Sequence, residues 1–231
     1  MIKILDSLLY SIKEGGSLYI NNIEKIFVIG VIYMFPIQFL MVLGVFSISF
    51  LFPLTLQDEV KIFFTLFAVI ISQIPYIYYF RFFKYKDEIP ELKKVLGSIY
   101  RFFSPVYMYA VYYSLLVTLG YHFYLIPGLV IGILFYSYPF YLIINNGSNY
   151  SLKINLKRTL SFGYDRFAKL FTIICFVIFI EVTSWFVLLN IFHILSSKLS
   201  LFTLTFSRIV LDLLLFPFLI FIICSYFYKH N

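Results

Sequence analysis

Three charged residues inside apolar segments are the strongest candidates for chemistry in this sequence. Glu181 lies about 13 residues into one apolar run, and Arg208 and Asp212 lie four residues apart in the next run. Residues four apart share one face of a helix, and a lone charge within a bilayer costs about 2.5–3.5 kcal/mol. The three side chains are therefore expected to face the interior of a helical bundle and to pair with one another.

Two interpretations of this charge cluster fit the sequence. In the first, Glu181 or Asp212 is the titrating carboxylate of a proton- or substrate-coupling site, and Arg208 tunes that carboxylate. In the second, the three residues form an ion-pair latch between the last two helices. In such a latch one carboxylate has no basic partner, because the cluster holds two acids and one base.

The sequence contains no recognisable catalytic motif, and we expect neither an enzyme nor a bound metal or cofactor. H-E-x-x-H, G-x-S-x-G, P-loop and G-x-G-x-x-G patterns are absent. His122 and His193 are expected beside outer loops, with no carboxylate or cysteine at ligand spacing. A lipid-modifying intramembrane enzyme is disfavoured on the same ground. If the protein moves a substrate by ATP hydrolysis, a separate ATPase must supply the energy, because the sequence has no P-loop.

The composition predicts that these residues belong to an integral membrane protein. Of 231 residues, 62% are hydrophobic and 13% are charged, whereas soluble domains carry roughly 25% charged residues. About 20 apolar residues cross a bilayer as a helix. The sequence thus predicts a single, all-α membrane domain with six transmembrane helices. The spans are expected at about 26–52, 60–83, 102–120, 122–144, 168–192 and 205–228, with a tight turn near 120–122.

The distribution of basic residues predicts the orientation of the chain. With the N-terminus inside, all but three of the 18 Lys and Arg residues fall in cytoplasmic segments, the exceptions being Lys61, Lys198 and Arg208. Lys and Arg are enriched in cytoplasmic loops. We therefore expect a multi-pass protein of the cell membrane with both termini in the cytoplasm. The net charge of +7 then reflects topology and not nucleic-acid binding.

Each odd-numbered span is preceded by a segment with an apolar stripe at helical spacing. The stripes consist of Leu5, Leu8, Leu9 and Ile12, then Ile89, Leu92, Leu96 and Ile99, then Leu152, Leu156 and Leu160. Cations off the last two stripes include Lys93, Lys94, Lys153, Lys157 and Arg158. Such helices lie in the membrane interface and attract anionic headgroups. We expect these cations at the inner leaflet or on a docking surface for a cytoplasmic partner.

Each even-numbered span carries a proline among aromatic residues, at Pro75, Pro139 and Pro217. A proline in a span releases one carbonyl and kinks the helix. Together with the amphipathic segments, the prolines predict three parallel repeats, each an interfacial helix followed by a hairpin of two spans. The alternative is chance similarity, because a biased codon usage fills any span with Phe, Tyr and Ile.

One stretch of the chain has a recognisable order of features. It begins with an Ile-Pro-Gly turn at residues 126–128 and continues with an aromatic span, a polar break at 145–146 and a basic helix containing Arg158 and Thr159. This order covers about a fifth of the chain. It resembles the membrane domain attached to some glycerophosphoryl diester phosphodiesterases and its stand-alone bacterial relatives. That group often has Arg-Ser where this chain has Arg-Thr, and an acidic residue where this chain has two asparagines. The resemblance implies six helices and a non-catalytic membrane role, since no phosphodiesterase domain is present.

Two functional hypotheses follow from these features. The first is a non-enzymatic membrane protein of the envelope, accessory to a transport or secretion system. Its partners are expected to be the lipid bilayer and a cytoplasmic ATPase or another membrane protein. The second is a transporter or permease subunit whose pathway includes Glu181, Arg208 and Asp212.

Overall fold

The computed structural model describes residues 2–86, 90–123, 125–144, 152–195 and 201–230, and the regular elements in these ranges are all helices. The α-helices are α1 (Ile2–Asn21), α2 (Ile23–Ile29), α3 (Phe35–Leu51), α4 (Leu54–Ser72), α5 (Ile74–Lys86), α6 (Leu92–Phe123), α7 (Leu125–Tyr136), α8 (Tyr138–Ile144), α9 (Leu152–Asp165), α10 (Phe167–Leu195) and α11 (Leu201–His230). A π-helical turn, Gly30–Met34, joins α2 to α3. The prediction of an all-α chain is confirmed over the described ranges.

Five stretches within these ranges are long and apolar enough to cross a membrane. They are Ile23–Ile48, Leu54–Tyr85, Ile126–Ile144, Phe167–Ile191 and Ser207–Lys229. The count becomes six if the two parts of α6, Leu92–Phe102 and Ser104–Phe123, are taken as one span with a 59° bend. Pro105 follows the bend directly and cannot donate a backbone hydrogen bond, which explains the kink.

The turn predicted at residues 120–122 is wrong, because α6 continues through these residues to Phe123. Gly120 instead permits a close crossing of α6 and α7. A Cβ at Gly120 would lie 2.7 Å from the Cα of Gly128, and a Cβ at Gly128 would lie 2.7 Å from the backbone N of Tyr121. Each glycine is therefore required for packing of the hairpin, where a side chain would collide with backbone. The connection itself, at residue 124, lies outside the described residues.

The centre of the molecule is formed by α5, α8 and α11, which contact one another. Their aromatic side chains interlock there. The rings of Phe80 and Phe221 lie 5.9 Å apart and those of Phe140 and Phe227 lie 5.1 Å apart, and all four side chains are buried. Such pairs contribute about 0.5–1.5 kcal/mol beyond the burial of their area. The core is thus built from the proline-bearing halves of the three predicted even-numbered spans.

Two of the three prolines lie beside helix breaks. The helix is interrupted at Gln73, two residues before Pro75, and at Ser137, two residues before Pro139. By contrast, α11 is continuous through Pro217. The three positions predicted as kinks are therefore not equivalent in local structure.

α1 packs against α11 through a row of small residues, while Leu8 of the predicted stripe is partly buried against the hydrophobic core. Ser7, Ser11 and Gly15 are buried, whereas Leu9 is exposed. A Cβ at Gly15 would lie 2.6 Å from the carbonyl O of Phe221. Rows of small residues four apart let membrane helices approach closely. Gly15 therefore permits a close approach of α1 and α11 that a bulky side chain would prevent.

α9 packs against α7 in the same way. Asn155, Thr159 and Gly163 are buried, and Leu160 of the predicted stripe is exposed. A Cβ at Gly163 would lie 2.5 Å from the carbonyl O of Leu134. Both amphipathic helices therefore use a row that ends in a glycine to meet the backbone of another helix.

The first part of α6 is less closely packed. Val95, Ser98 and Phe102 form its buried face, while Leu92 is exposed. The burial of three members of the predicted stripes is not described. Ile89 and the side chains of Leu5 and Leu152 lie outside the described part of the chain.

Candidate functional site

Arg208 and Asp212 come together on one face of α11, as the sequence predicted. Arg208 Nε lies 3.9 Å from Asp212 Oδ2. The Asp212 side chain is only 14% exposed, whereas that of Arg208 is 56% exposed. The carboxylate is therefore sheltered within the molecule, and the guanidinium group lies at its edge.

Glu181 joins this pair from α10, which packs against α11. Its side chain is partly buried, and its charge interacts with those of Arg208 and Asp212. Both carboxylates therefore lie within electrostatic range of one guanidinium group, and the recorded ion pair of that group is with Asp212. Because electrostatic energies grow as the separation and the dielectric constant fall, Arg208 offsets the repulsion between the two acids.

Arg208 also lies against Trp185, the single tryptophan of the chain. The guanidinium carbon is 5.5 Å from the centre of the indole ring. Trp185 follows Glu181 by four residues, so both side chains project from the same face of α10. Such a cation–π contact is worth about 0.5–1 kcal/mol at an exposed site. The sequence reasoning missed Trp185, although its spacing from Glu181 was the available signal.

A row of polar groups continues from Glu181 towards the core. The hydroxyl of Tyr136, at the end of α7, lies within electrostatic range of Glu181. Gln73, at the break between α4 and α5, donates an Nε2 hydrogen bond of 2.9 Å to that hydroxyl. Gln73 is fully buried, and its Oε1 has no hydrogen-bond partner among the described residues. The charge cluster is therefore the outer end of a longer polar row, whose inner members the sequence did not reveal.

A tyrosine hydroxyl satisfies the carbonyl that Pro75 releases. Proline has no N–H to donate to the carbonyl four residues earlier, which is that of Ile71. Tyr33, from the π-helical turn, donates its hydroxyl to Ile71 O at 3.2 Å. In a membrane, freed backbone groups must find partners within the protein. The hydrogen bond explains how a proline is tolerated at this depth.

The same arrangement occurs at the second proline. Pro139 releases the carbonyl of Phe135, and Tyr109 of α6 donates its hydroxyl to that oxygen. In α11, Pro217 releases the carbonyl of Leu213. Tyr19 of α1 donates to the next carbonyl along the helix, that of Leu214, at 2.9 Å. Tyrosines on neighbouring helices thus stabilise the proline region of each core helix.

A second cluster of charges joins α1, α5 and α11. Glu14 accepts hydrogen bonds from Lys84 and Tyr10, and Lys229 Nζ lies 3.8 Å from the centre of the Tyr10 ring. Burial of Glu14 opposes ionisation, but the hydrogen bonds from Lys84 and Tyr10 outweigh it and hold the pKa of Glu14 below its ordinary value. The hydrogen bond to Glu14, with burial, raises the pKa of Tyr10 to about 12. This cluster was not predicted from the sequence, because its members are far apart along the chain.

The five cations predicted to meet lipid or a partner all lie on the surface of the molecule. They are Lys93 and Lys94 in α6 and Lys153, Lys157 and Arg158 in α9. Lys94 Nζ lies 3.7 Å from Glu91 Oε1. Surface ion pairs of this kind contribute about 0–1 kcal/mol, so this contact does not fix the lysine in place.

Among the described residues, no group of three or more His, Cys, Asp or Glu side chains is placed to hold a metal ion. Of the two histidines considered from the sequence, His122 has its Nδ1 2.9 Å from Glu59 Oε1. The side chain of His193 lies outside the described residues. The histidine–carboxylate pair joins the hairpin of α6 and α7 to the start of α4.

Comparisons of the chain with known protein families, with curated proteins and with solved structures found no match. Function is therefore inferred from three features of the molecule. They are the charge cluster of α10 and α11, the polar row that leads from it to the core, and the way the helices pack.

Proposed function

We propose that this chain is a non-enzymatic integral membrane protein of the cell envelope that acts as an accessory to a transport or secretion system. The outlying position of α10 carries this proposal. Only 6% of the apolar span of α10 is buried within the molecule, against 61% for the span of α11. Yet this little-covered helix supplies Glu181 and Trp185 to the charge cluster. A partner helix in the membrane that covers α10 seals these polar groups from lipid, which reduces the free-energy cost of keeping charges in the bilayer.

Site-specific photo-crosslinking in the native membrane tests this proposal. Photo-reactive residues replace Phe179 and Phe186, which are exposed on α10, and Phe46 and Phe50, which are equally exposed on α3. We expect adducts with a component of a transport or secretion assembly from the α10 positions and lipid adducts only from the α3 positions. Lipid adducts alone from both helices refute a partner at α10.

The proposal includes three repeats arranged as a ring, and helix contacts support this arrangement. Each amphipathic segment packs on the second span of the preceding hairpin: α1 on α11, the first part of α6 on α5, and α9 on α7 and α8. Each first span packs on two second spans, its own and the preceding one: α3 on α4 and α11, α6 on α7 and α4, and α10 on α11 and α7. Chance similarity of composition provides no reason for contacts to recur in this cyclic order.

Six spans in the cell membrane with both termini in the cytoplasm complete the proposed topology. The second charge cluster supports it, since Glu14 of α1, Lys84 of α5 and Lys229 of α11 lie at one end of the molecule. The excess of Lys and Arg in the segments assigned to that side favours the cytoplasm. Labelling of single cysteines from one side of sealed vesicles tests the topology. Reaction of a cysteine at Lys13 and one at Lys61 from the same side contradicts it.

The basic surface of α9 is the proposed contact for a cytoplasmic ATPase or for anionic headgroups. A variant without the positive charges of this surface should no longer support the transport or secretion system, although it still inserts into the membrane and accumulates. The variant replaces Lys153, Lys157 and Arg158 with neutral residues. Lys61→Gln, on the opposite side of the proposed topology, serves as the control. The resemblance to the phosphodiesterase-attached membrane domains agrees with such a non-catalytic role.

The polar row favours one alternative, a transporter or permease subunit with Glu181, Arg208 and Asp212 on its pathway. Its inner member Gln73 is buried with an unpartnered oxygen, as expected of a group that meets a passing polar ligand. Glu181→Gln separates the two functions. If the cluster is a coupling site, this change abolishes activity at normal protein levels. If the cluster is a latch, the change lowers thermal stability in detergent and leaves residual activity in proportion to folded protein.

A further inference from the structure

A groove runs along α2 and the π-helical turn on one side and the first part of α6 on the other. Its first half is a cleft of about 340 Å³ that includes Val28, Ile29 and Val95 in its walls. Its second half, of about 460 Å³, is lined by Ile32, Tyr33, Leu96, Ile99 and Tyr100. Ligand pockets in proteins typically measure about 300–1,000 Å³. The two halves follow one another along the same pair of helices, so together they form one elongated site.

The groove has a charged end and an apolar end. Glu24, Lys25 and Glu91 line the charged end, and Lys94 lies 3.7 Å from Glu91. Glu24 is the second residue of the membrane-length stretch that begins at Ile23, which is the depth of lipid headgroups. At 1.5 Å per residue, the apolar end at Tyr33 is about 13 Å further along the helix. This gradient, from charged to apolar over the groove, matches a lipid headgroup followed by an acyl chain.

The signs of the charges select among lipids. The rim carries the carboxylates of Glu24 and Glu91 and the ammonium group of Lys25, and the ammonium group of Lys94 lies 3.7 Å from Glu91. A headgroup with only negative charge is attracted by Lys25 but also meets the two carboxylates, and like charges brought together oppose binding. A headgroup with both an ammonium and a phosphate finds an opposite charge for each. The deeper half is lined by the π-helical turn, a distortion that occurs frequently at functional sites.

We propose that this groove binds one phospholipid whose headgroup carries both an ammonium and a phosphate, as phosphatidylethanolamine does. The phosphate lies by Lys25 and the ammonium by Glu24 and Glu91. One acyl chain follows the π-helical turn between Ile32 and Leu96. The site is separate from α10, so it does not depend on the partner proposed there.

Native mass spectrometry of the full chain tests the assignment. The protein is stripped of lipid in detergent and offered an equimolar mixture of phosphatidylethanolamine and phosphatidylglycerol with identical acyl chains. We expect one lipid to be retained per chain, with at least a fivefold preference for phosphatidylethanolamine. Equal retention of the two lipids, or retention of neither, overturns the proposal.

Variants locate the lipid within the molecule. Leu96→Trp fills the groove and should abolish retention, whereas Leu116→Trp, on an exposed part of α6 outside it, should leave retention unchanged. If Leu96→Trp does not fold, Ile99→Trp on the same wall replaces it. The double variant Glu24→Gln and Glu91→Gln should remove the preference between headgroups. Retention that survives filling of the groove, or a photo-reactive group at Tyr100 that captures a polypeptide, overturns the assignment.

Discussion

Removal of one hydroxyl, in Tyr109→Phe, tests how the core tolerates its prolines. Tyr109 is buried and donates to the carbonyl of Phe135, which Pro139 deprives of its helical partner. The phenylalanine keeps the ring and its stacking on Tyr138, whose centroid is 3.9 Å away. The change therefore removes one hydrogen bond and little else.

The expected loss follows from the environment of the carbonyl. Leaving a buried acceptor without a partner costs about 1–3 kcal/mol, whereas single side-chain hydrogen bonds in membrane proteins average about 0.6 kcal/mol. Phe135 O cannot turn to water within the apolar bundle, so we expect a loss of about 1–2 kcal/mol, in the lower part of the first range. Tyr33→Phe should cost less, because Ile71 O accepts the backbone N–H of Gln73 as well as the hydroxyl of Tyr33.

Reversible unfolding in mixed micelles measures the free energy of each variant. Tyr112→Phe is the matched control, since Tyr112 lies three residues further along α6 and is exposed. We expect its free energy of unfolding to stay within about 0.5 kcal/mol of the parent. Pro139→Ala supplies the second arm of a double-mutant cycle, because an alanine N–H can bond Phe135 O directly.

The cycle gives the result that refutes the reasoning. If the hydroxyl compensates for the proline, Tyr109→Phe should cost at least about 0.5 kcal/mol less in the Pro139→Ala background than in the parent. Equal cost in both backgrounds shows that the hydroxyl does not stand in for the missing N–H. A loss no larger than that of Tyr112→Phe shows that the carbonyl does not need the hydroxyl.

Three further predictions concern helix packing and the two charge clusters. Gly15→Ala should lower the unfolding free energy by about 1–3 kcal/mol, since its Cβ meets backbone, whereas Gly44→Ala, with nothing within 4 Å, should not lower it. The pKa of Glu14 is depressed in the folded protein, so its contribution to stability is present above the unfolded value of 4.5 and is lost as the pH falls through the folded value. The melting temperature of Glu14→Gln should therefore lie below that of the parent near pH 7 and approach it in strong acid. Arg208→Ala should destabilise the protein in detergent by about 1–3 kcal/mol and by more than Glu181→Gln, because it leaves two acids facing each other; the reverse order in thermal melts contradicts the stabilising role of Arg208.

The charge cluster could be predicted because a charge in an apolar run stands out in the sequence. Two of its members also lie four residues apart on one helix, so Arg208 and Asp212 had to be neighbours. Trp185 carries no charge and its only signal was its spacing of four residues from Glu181, and Gln73 had no such signal. An aromatic or amide side chain in a membrane helix has many ordinary roles, and its partner is set by the packing of other helices.

The helix contacts of α1 and α9 could not be predicted from the sequence. Hydrophobic periodicity identifies an apolar stripe on each helix but does not say which neighbour either face meets. Each of these helices meets its neighbour along a row of small residues, where close approach of the backbones decides the contact. Gly15 and Gly163 were the relevant residues, and their role appears only when the partner backbone is known.

The contact of α1 with α11 has a consequence for biosynthesis. Gly15 is synthesised about 200 residues before Phe221, against which it packs. Until then the serine and glycine face of α1 lacks α11, so α1 cannot dock while the ribosome is still making the intervening segments. Contacts between residues so distant in sequence slow folding, and incomplete assemblies expose surfaces that aggregate or recruit chaperones. A chain that stops before α11 should therefore insert its earlier helices and yet leave α1 undocked, a ready signal for membrane quality-control proteases.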